Sequence, residues 1–385
     1  LLQTLLRERL GFRGVLVTDW AEIKNLHAYH KVARSDEDAV LMSINSTSVD
    51  MSMVPTDNTF PRYLADLVRD GRIPEERVDL SAARILQLKK TLGLLSNPVP
   101  PLDLPFVATV GSAADRAASR ALASESIVLL KNEPRAAGGA PPLPLWGPRR
   151  RPPLRLHVTG PTSASIAYLA GGWTAHWQGA ESDAELAAQG ESIVDALRRL
   201  APAGVIVTNT TGCTIVSPDG RPQTSSCEAS DDERAAAVAA AAAADVTVLC
   251  LGEEAYTEKP GDIVDLSLHS GQRELAAALA AAGATLVVVL VEGRPRTLHG
   301  LPDLADAVVH AMVPGPQGGP AIASLLYGEY APSGRLPITY PKDEGVTVPH
   351  WHRVTQACNG AAGGFLAATT EDCAVEWPFG AGLSY

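Results

Sequence analysis

Three short segments of the chain carry acidic and aromatic side chains at positions where they could bind a ligand or take part in catalysis. In the segment GVLVTDW, an apolar run that resembles a strand ends with Asp19 and Trp20. A carboxylate at the end of a parallel strand can face a pocket, and the adjacent indole offers an apolar platform for the face of a sugar. The same carboxylate can instead cap the helix of the next βα unit, and the position alone leaves both interpretations open.

The second segment, GEEAYTEKPGD over 252–262, is acidic and follows a predicted strand over 246–251. It places Glu253, Glu254 and Glu258 on one loop, with glycine and proline at its ends. Loops that leave a rigid sheet often carry catalytic and binding residues, although an acidic loop can also be a solvated surface turn. The sequence therefore predicts either a group of candidate acids or an exposed turn.

The third segment, GGWTAHWQG over 171–179, contains two indoles four residues apart in a glycine-rich setting. Trp173 and Trp177 can stack on sugar rings, or they can form an aromatic plug at a domain interface. Aromatic residues make up only 5% of the chain, so a pair of tryptophans here is informative. The turn GPTSAS over 160–165 lacks the glycine fingerprint of a phosphate-binding loop, which disfavours a nucleotide- or flavin-binding domain.

Strand-like and helix-like segments alternate through the second part of the chain. This alternation predicts a doubly wound parallel sheet with helices on both faces. The predicted strands cover 154–159, 204–208, 246–251, 285–291 and 307–312, and the predicted helices cover 114–124, 189–200, 231–244, 271–282 and 317–327.

The first part of the chain reads as helices around two strands. The apolar run 14–18 is typical of a parallel strand that is buried on both faces, and a second strand follows in STSVDMSMVP and is stopped by Pro55. The proline-rich stretch SNPVPPLDLP predicts a domain boundary. The predicted helices cover 1–10, 36–44, 62–70 and 80–92, and the predicted organisation is a first domain over 1–95, a linker over 96–112 and a second domain over 113–385.

Composition and charge exclude several classes of protein. Apolar residues make up 46% of the 385 residues, which predicts packed cores and excludes general disorder. The chain has 32 lysine and arginine residues against 43 aspartate and glutamate residues, and its net charge of −11 argues against nucleic acid or an anionic membrane surface as the main partner. The longest uncharged apolar stretch, 275–291, is shorter than the about 20 residues that a membrane-spanning helix needs.

The five cysteines fall into two short-range pairs and one isolated residue. Cys213 pairs by spacing with Cys227, and Cys358 with Cys373, whereas Cys250 lies in the apolar run VTVLCL and is expected to be a buried free thiol. Two disulfides would place the protein in an oxidising compartment, but five cysteines in a chain of this length are also ordinary. Their spacing does not match a zinc site, and no metal site is predicted.

Taken together, these segments resemble glycoside hydrolase family 3, in its branch of two-domain β-glucosidases and exo-β-glucan hydrolases. GFRGVLVTDW is similar to the strand that carries the family's nucleophile, and VDMSMVP is similar to the next barrel strand. RVDLSAARILQLKKTLGLL is similar to the helix that closes the barrel domain. The further similar segments, in the order in which the family has them, are ESIVLLKNE, GGWTAHWQG, GEEAYTEKPGD, GEYAPSGRLPITYP and WPFGAGLSY.

The resemblance implies a role for each candidate residue. Asp19 matches the nucleophile. Glu258 matches the acid/base of a Gly-Glu-x-x-Tyr-Thr-Glu loop, and Glu253 is the alternative acid/base. Trp20 and Trp177 match the aromatic pair that holds the second sugar. The further residues expected on the substrate side are Trp173, Met53 and Glu253.

The implied fold is α/β, with the C-terminal part of a (β/α)8 barrel followed by a doubly wound α/β sandwich domain. A complete barrel takes about 250 residues, and only 18 residues precede Asp19, so the first six βα units are expected to be missing. The implied reaction of the full gene product is hydrolysis of terminal non-reducing β-D-glucosyl residues from β-glucosides or β-glucan oligosaccharides by a retaining double displacement. It needs no metal or organic cofactor, and this fragment alone is expected to have little or no activity.

The alternative interpretation is a non-catalytic carbohydrate-binding protein or a degenerate pseudoenzyme fragment. In that case the second domain is intact, the barrel is incomplete, and the tryptophans still hold a sugar.

The first residues, LLQTLLRERL, predict an amphipathic helix rather than a signal peptide. A secreted or periplasmic location is nevertheless expected for the protein, and its oligomeric state is left open.

Overall fold

The chain folds into two compact units, Leu1–Val107 and Ala108–Tyr385. The boundary between them lies inside the segment 96–112 that the sequence predicts as a linker. The computed structural model describes residues 1–54, 56–99, 101, 104–135, 138–147, 152–345 and 375–385.

The first unit consists of helices around one parallel pair of strands, β1 and β2. The strands pair in parallel, with Val17 opposite Met51 and Trp20 opposite Met53. The helices pack on a small core that includes Ile23, Val40 and Leu67. The elements of this unit are an N-terminal helix over Leu2–Arg9, β1 Val17–Trp20, α1 Glu22–Ala28, α2 Asp36–Ser46, β2 Met51–Met53, α3 Thr59–Arg69 and α4 Glu75–Thr91.

Strand β1 differs from the prediction of a strand over 14–18 that is buried on both faces. It begins at Val17, which is 52% exposed, and it includes Asp19 rather than ending before it. Burial of a parallel strand requires neighbouring strands and helices that cover both faces. In the described part of the chain β2 alone pairs with β1, so the prediction of a doubly buried strand is wrong here. Pro55, the predicted end of the second strand, lies outside the described residues.

The side chain of Asp50, just before β2, is fully buried and links three parts of the first unit. It accepts hydrogen bonds from Arg7 Nη2 at 2.6 Å, from Arg84 Nη1 at 2.7 Å and from Ser81 Oγ at 2.7 Å. It also accepts one from the backbone N–H of Leu16 at 2.9 Å. Burial opposes ionisation of Asp50, but the bonds from Leu16, Arg84 and Ser81 outweigh it and hold the pKa of this carboxyl below its ordinary value.

The second unit is built on a six-stranded sheet in the order β3-β10-β9-β8-β4-β5. All neighbouring strands pair in parallel except β3, which runs antiparallel to β10 at one edge. The sheet is therefore mixed, and the prediction of an entirely parallel sheet is wrong at that edge. Its strands are β3 Val128–Asn132, β4 Leu154–Thr159, β5 Val205–Asn209, β8 Val246–Gly252, β9 Leu286–Val291 and β10 Ala307–Met312.

Helices cover both faces of this sheet, as the sequence predicts. One apolar core lies between the sheet and the helices that carry Leu169, Leu197 and Ile322, and a second core lies on the opposite face under Ala237 and Leu275. None of the described helices of either unit is long and apolar enough to cross a bilayer. The helices of the second unit are α5 Ala113–Ser126, α6 Ile166–Ala170, α7 Ile193–Arg199, α8 Asp231–Ala242, α9 Ser270–Ala281, α10 Leu301–Leu304 and α11 Gly318–Tyr327.

Two small antiparallel pairs complete the unit, and one of them contains a disulfide. The disulfide joins Cys227, in β7, to Cys213, which directly precedes β6, as one of the two interpretations of the cysteine spacing predicts. Cys250 is a buried free thiol, as predicted, and burial raises its pKa. Cys358 and Cys373 lie outside the described residues. The strands of the two pairs are β6 Thr214–Val216, β7 Ser226–Glu228, β11 Tyr340–Pro341 and β12 Val375–Trp377.

The first prediction concerns Asp50. Asp50→Ala removes the one carboxylate that faces Arg7 and Arg84 in this cluster, and breaking a buried ion pair in this way costs about 3–5 kcal/mol of stability. Because the folded-state pKa of Asp50 is lowered, its stabilising contribution is present above about pH 4 and is lost as the pH falls through the folded-state pKa. Urea unfolding of the chain at pH 7 and at lower pH measures both effects.

The matched control for Asp50 is Asp79→Asn, which changes an exposed carboxylate on α4. It should alter the free energy of unfolding by less than about 0.5 kcal/mol. An equal loss in the two variants would contradict the role given to Asp50.

Candidate functional site

Asp19 lies in an exposed part of β1 and is held by its neighbour. Its Oδ1 accepts a hydrogen bond from the backbone N–H of Trp20 at 2.6 Å. The N-cap of α1 is Ala21, in a left-handed conformation with φ of 54°, and α1 has no side-chain cap bond. Asp19 therefore does not cap the helix, and the structural alternative for this residue is wrong.

The two other candidate residues of the first unit occupy paired positions beside Asp19. Trp20 and Met53 lie opposite each other in the strand register, and their exposed fractions are 58% and 40%. The backbone N–H of Met53 donates to the hydroxyl of Thr18 at 3.0 Å, and the N–H of Ala21 donates to the carbonyl of Met53 at 2.8 Å. These bonds fix the backbone on both sides of Asp19 and leave an exposed indole and thioether next to it.

In the second unit, the acidic loop leaves the carboxyl end of β8 and carries Glu258 on its surface. Glu258 is exposed, and its backbone angles are φ 50° and ψ −151°, a conformation that residues other than glycine rarely adopt. The next residues, Lys259–Gly261, form a short helical turn in which the N–H of Gly261 donates to the carbonyl of Glu258 at 2.8 Å. Backbone strain of this kind concentrates at functional sites.

Glu253, at the start of the same loop, has a very different environment and is only 2% exposed. Its Oε1 accepts hydrogen bonds from Arg296 Nη1 at 2.6 Å and from Arg294 Nε at 3.0 Å. Its Oε2 accepts one from the Tyr256 hydroxyl at 2.9 Å, and the guanidinium of Arg294 lies 4.0 Å from the centre of the Tyr256 ring. Burial and the adjacent charge of Glu253 raise the pKa of Tyr256, which keeps this hydroxyl a donor. The Glu253 carboxylate is therefore fully engaged by protein groups.

Glu254, the third carboxylate of the loop, points toward a small cavity. Both of its carboxylate oxygens are buried, and neither has a hydrogen-bond partner in the described part of the chain. The cavity of about 220 Å³ beside it is also lined by Tyr168, Gly172, Tyr256 and Val313. Burial and the charge of Glu254 both raise the pKa of Tyr168. Sequence reasoning named Glu254 as one of three acids on the loop but did not predict this environment.

The tryptophan loop over 171–179 packs directly against the acidic loop. Trp173 and Trp177 are 67% and 48% exposed. The Trp177 carbonyl accepts a hydrogen bond from the Thr257 hydroxyl at 2.8 Å, and the side chain of Gln178 bonds to the backbone of Thr257. The structure thus brings Trp177 and the loop of Glu258 together within one unit, as a shared sugar site would require.

Sequence reasoning missed the residues that hold the acidic loop in place. Arg294 and Arg296 follow β9, and Gln178 follows Trp177. The signal for the arginines was available, because polar residues just past the end of a parallel strand lie at the edge where α/β sheets have their sites. Nothing in the local pattern distinguishes Gln178 from a solvated polar residue.

Two family models match the chain and together cover both units. The model of the glycosyl hydrolase family 3 N-terminal domain matches residues 1–88, and that of the C-terminal domain of the same family matches residues 127–385. Each match lies within one compact unit, and Asp19 and Glu258 fall in different ones.

Curated relatives and solved structures match over almost the whole chain. The chain is 41% identical to a lysosomal β-glucosidase from Dictyostelium discoideum, over 100% of this chain and 43% of that protein. It is 32% identical to a periplasmic β-glucosidase from Salmonella typhimurium, over 90% of this chain and 44% of that protein. The structure of a β-glucosidase from Erythrobacter marinus matches with a TM-score of 0.77 and 33% identity, over 100% of this chain and 50% of that one. The chain therefore spans about half the length of the relatives it matches.

The second prediction compares two glutamates of the acidic loop. Glu253→Gln removes the charge that faces Arg294 and Arg296 in a buried cluster, and should cost about 3–5 kcal/mol of stability. Glu258→Gln is the same substitution five positions later at an exposed side chain, and should change stability by less than about 0.5 kcal/mol. Urea unfolding followed by circular dichroism measures both. If Glu258→Gln destabilised the chain as much as Glu253→Gln, it would contradict the conclusion that Glu253 stabilises the fold and Glu258 does not.

Proposed function

Because the chain belongs to glycosyl hydrolase family 3, we propose that the protein hydrolyses terminal non-reducing β-D-glucosyl residues of β-glucosides or β-glucan oligosaccharides with retention of configuration. The observation that carries the proposal is a pair of exposed carboxylates, each with an exposed indole nearby. Asp19 precedes Trp20 on β1, and Glu258 lies on a loop that packs against the loop of Trp177. The β-glucosidase relatives along the whole chain support glucose as the sugar.

We propose that the first unit is the C-terminal part of a (β/α)8 barrel and the second unit is the α/β sandwich domain of the family. The parallel pairing of β1 with β2 and the helices between them are what two consecutive βα units of a barrel require. The mixed sheet with helices on both faces fits the second domain.

In the first step of the proposed reaction, an Asp19 carboxylate oxygen attacks the anomeric carbon. The bond from that carbon to the glycosidic oxygen breaks, and the carboxylic acid of Glu258 gives its proton to the departing oxygen. The product is a glycosyl ester of Asp19 and a free alcohol. The choice of Glu258 is supported by its exposed side chain, whereas Glu253 is buried and held by Arg294, Arg296 and Tyr256.

In the second step, the Glu258 carboxylate accepts a proton from water as the water oxygen attacks the anomeric carbon. The ester bond to Asp19 breaks, and glucose leaves with its original configuration. A retaining mechanism requires the two carboxyl groups to be about 5–5.5 Å apart across the sugar. This chemistry is complete with two carboxyl groups and water, and it assigns no step to a metal or organic cofactor.

The exposed aromatic side chains are proposed to bind the leaving-group side of the substrate. Trp20 and Trp177 would hold the second sugar between their rings, with Trp173 behind them and Met53 beside Trp20. Glu253, proposed from the sequence as a substrate-side residue, is assigned instead to positioning the loop, because its carboxylate is occupied by protein donors.

We propose a secreted or periplasmic location for the protein. The Cys213–Cys227 disulfide supports an oxidising compartment, and one similar protein is a periplasmic β-glucosidase.

The third prediction assigns the two carboxyl roles in the full-length gene product. Glu258→Ala should lower kcat/KM for an alkyl β-glucoside by about 10²–10⁴-fold, because its leaving group needs a proton. It should affect 2,4-dinitrophenyl β-glucoside far less, because that phenolate leaves without one. Asp19→Gly should abolish turnover of both substrates, because no covalent intermediate can form.

Azide distinguishes the two roles by stereochemistry. In Glu258→Ala, azide needs no general base and should attack the glycosyl ester to give the β-glucosyl azide. In Asp19→Gly, azide should enter from the opposite face and give the α-glucosyl azide. Proton NMR identifies the anomers, and Asp79→Asn serves as an exposed control that should retain full activity. Binding of a glucoside without turnover by the unaltered protein would instead favour the non-catalytic alternative.

A further inference from the structure

The backbone at Glu258 is held in an unfavourable conformation, and the structure shows what holds it. With φ of 50°, this residue adopts a geometry that a glutamate in a free loop would leave. Contacts on both sides must therefore fix the peptides that flank it. On its C-terminal side, the turn over Lys259–Gly261 returns a hydrogen bond to the Glu258 carbonyl.

On the N-terminal side, the side-chain amide of Gln178 binds both backbone groups of Thr257. The Thr257 N–H donates to Gln178 Oε1 at 3.1 Å, and Gln178 Nε2 donates to the Thr257 carbonyl at 3.2 Å. Gln178 Nε2 also donates to Thr257 Oγ1 at 2.7 Å. The Thr257 carbonyl belongs to the same peptide plane as the Glu258 nitrogen, so Gln178 fixes the orientation of the peptide that leads into Glu258.

The same threonine connects back to the tryptophan loop, and the two loops are in close contact beside it. The Thr257 hydroxyl donates to the Trp177 carbonyl at 2.8 Å. A Cβ placed on Gly172 would lie 2.1 Å from the Thr257 methyl carbon and 2.5 Å from the Tyr256 carbonyl oxygen. The loops therefore touch at a position where a methyl group would not fit.

From this geometry we propose that Gln178 is a positioning residue for the acid/base, and that it couples the orientation of Glu258 to the tryptophan loop that carries Trp177. The inference rests on the proposed function of Glu258. Gln178 itself acts only through Thr257. Its loss should therefore impair proton delivery to the leaving group while leaving attack on the anomeric carbon largely intact.

The test replaces Gln178 with methionine in the full-length gene product, because methionine keeps the unbranched shape and removes all three amide hydrogen bonds. We expect kcat/KM for an alkyl β-glucoside to fall by about 10- to 100-fold, since a misplaced catalytic group costs up to that much. For 2,4-dinitrophenyl β-glucoside, which needs no proton, the fall should be less than about threefold. With this activated substrate, azide should attack the glycosyl ester without a general base, accelerate its breakdown and yield the β-glucosyl azide.

Gln87→Met is the matched control, because Gln87 also bonds to a threonine hydroxyl, that of Thr91, at an exposed position on α4. It should leave both substrates unaffected. Thr257→Val removes the hydroxyl bonds but keeps the backbone pair with Gln178, and should give a smaller effect with the same preference for the activated substrate. If Gln178→Met did not fold, the same two substrates would be compared in Thr257→Val and Gln178→Glu.

An equal fall for both substrates in the folded Gln178 and Thr257 variants, without azide rescue, would overturn the proposal, because it would indicate a general structural role. Glu258→Ala separates this failure from a failure of the proposed function. If Glu258→Ala shows the leaving-group preference and the Gln178 variants do not, the positioning role alone is wrong. If Glu258→Ala does not show it either, the assignment of Glu258 itself is wrong.

Discussion

The geometry of the acidic loop depends on one buried carboxylate, that of Glu253, which lies between Arg294 and Arg296. The loop leaves β8 at Gly252, where a Cβ would lie 1.7 Å from the carbonyl oxygen of Val291, so the chain crosses directly over the end of β9. A charge buried there without a partner would be strongly destabilising. The two arginines that follow β9 supply that partner, and in doing so they join the ends of the two central strands.

This arrangement gives the three glutamates of one short loop three different environments. Glu253 is buried and paired with arginines, and Glu254 has buried carboxylate oxygens beside a cavity. Glu258 is exposed, and its backbone has an unfavourable positive φ. The Glu253 carboxylate accepts three hydrogen bonds from guanidinium and phenol donors and is only 2% exposed, so it is not open to a leaving group or a water. Of the two glutamates proposed as acid/base from the sequence, only Glu258 has an exposed side chain.

Much of the second unit could be predicted from the sequence, because its central strands are largely apolar segments bounded by turns. The strands at 154–159 and 307–312 agree with the predicted bounds, and α9 begins one residue earlier than predicted. The edge strand β3 was not predicted as a strand, since only three of its five residues are apolar. Its antiparallel direction is set by pairing with β10, which the local sequence does not specify. In the first unit, the apolar run before Asp19 predicted burial on both faces, but burial depends on neighbours that the run itself does not specify.

For the candidate site, as for the fold, local patterns in the sequence were informative and contacts between distant residues could not be predicted. Residue type and spacing singled out Asp19, the three glutamates of the acidic loop and the tryptophans as candidates, because each belongs to a short pattern, and the family resemblance selected Glu258 among the glutamates. The burial of Glu253 could not be predicted in this way, since its partners lie more than 40 positions further along the chain. The same is true of Gln178, which is 79 positions from Thr257.

Two glutamines hold the acidic loop by the same kind of bond, Gln272 at its start and Gln178 at its middle, and the difference between their surroundings determines which part of the loop can move. Gln272, on α9, is fully buried and exchanges hydrogen bonds with the N–H and carbonyl of Gly252 at 2.9 and 2.8 Å. That end of the loop can move only with the helix and the sheet. Gln178 instead extends from the tryptophan loop, so Thr257 can shift when that loop shifts. A change in how Trp177 meets a ligand would therefore reach Glu258 through Thr257, whereas the Gly252 end would stay fixed.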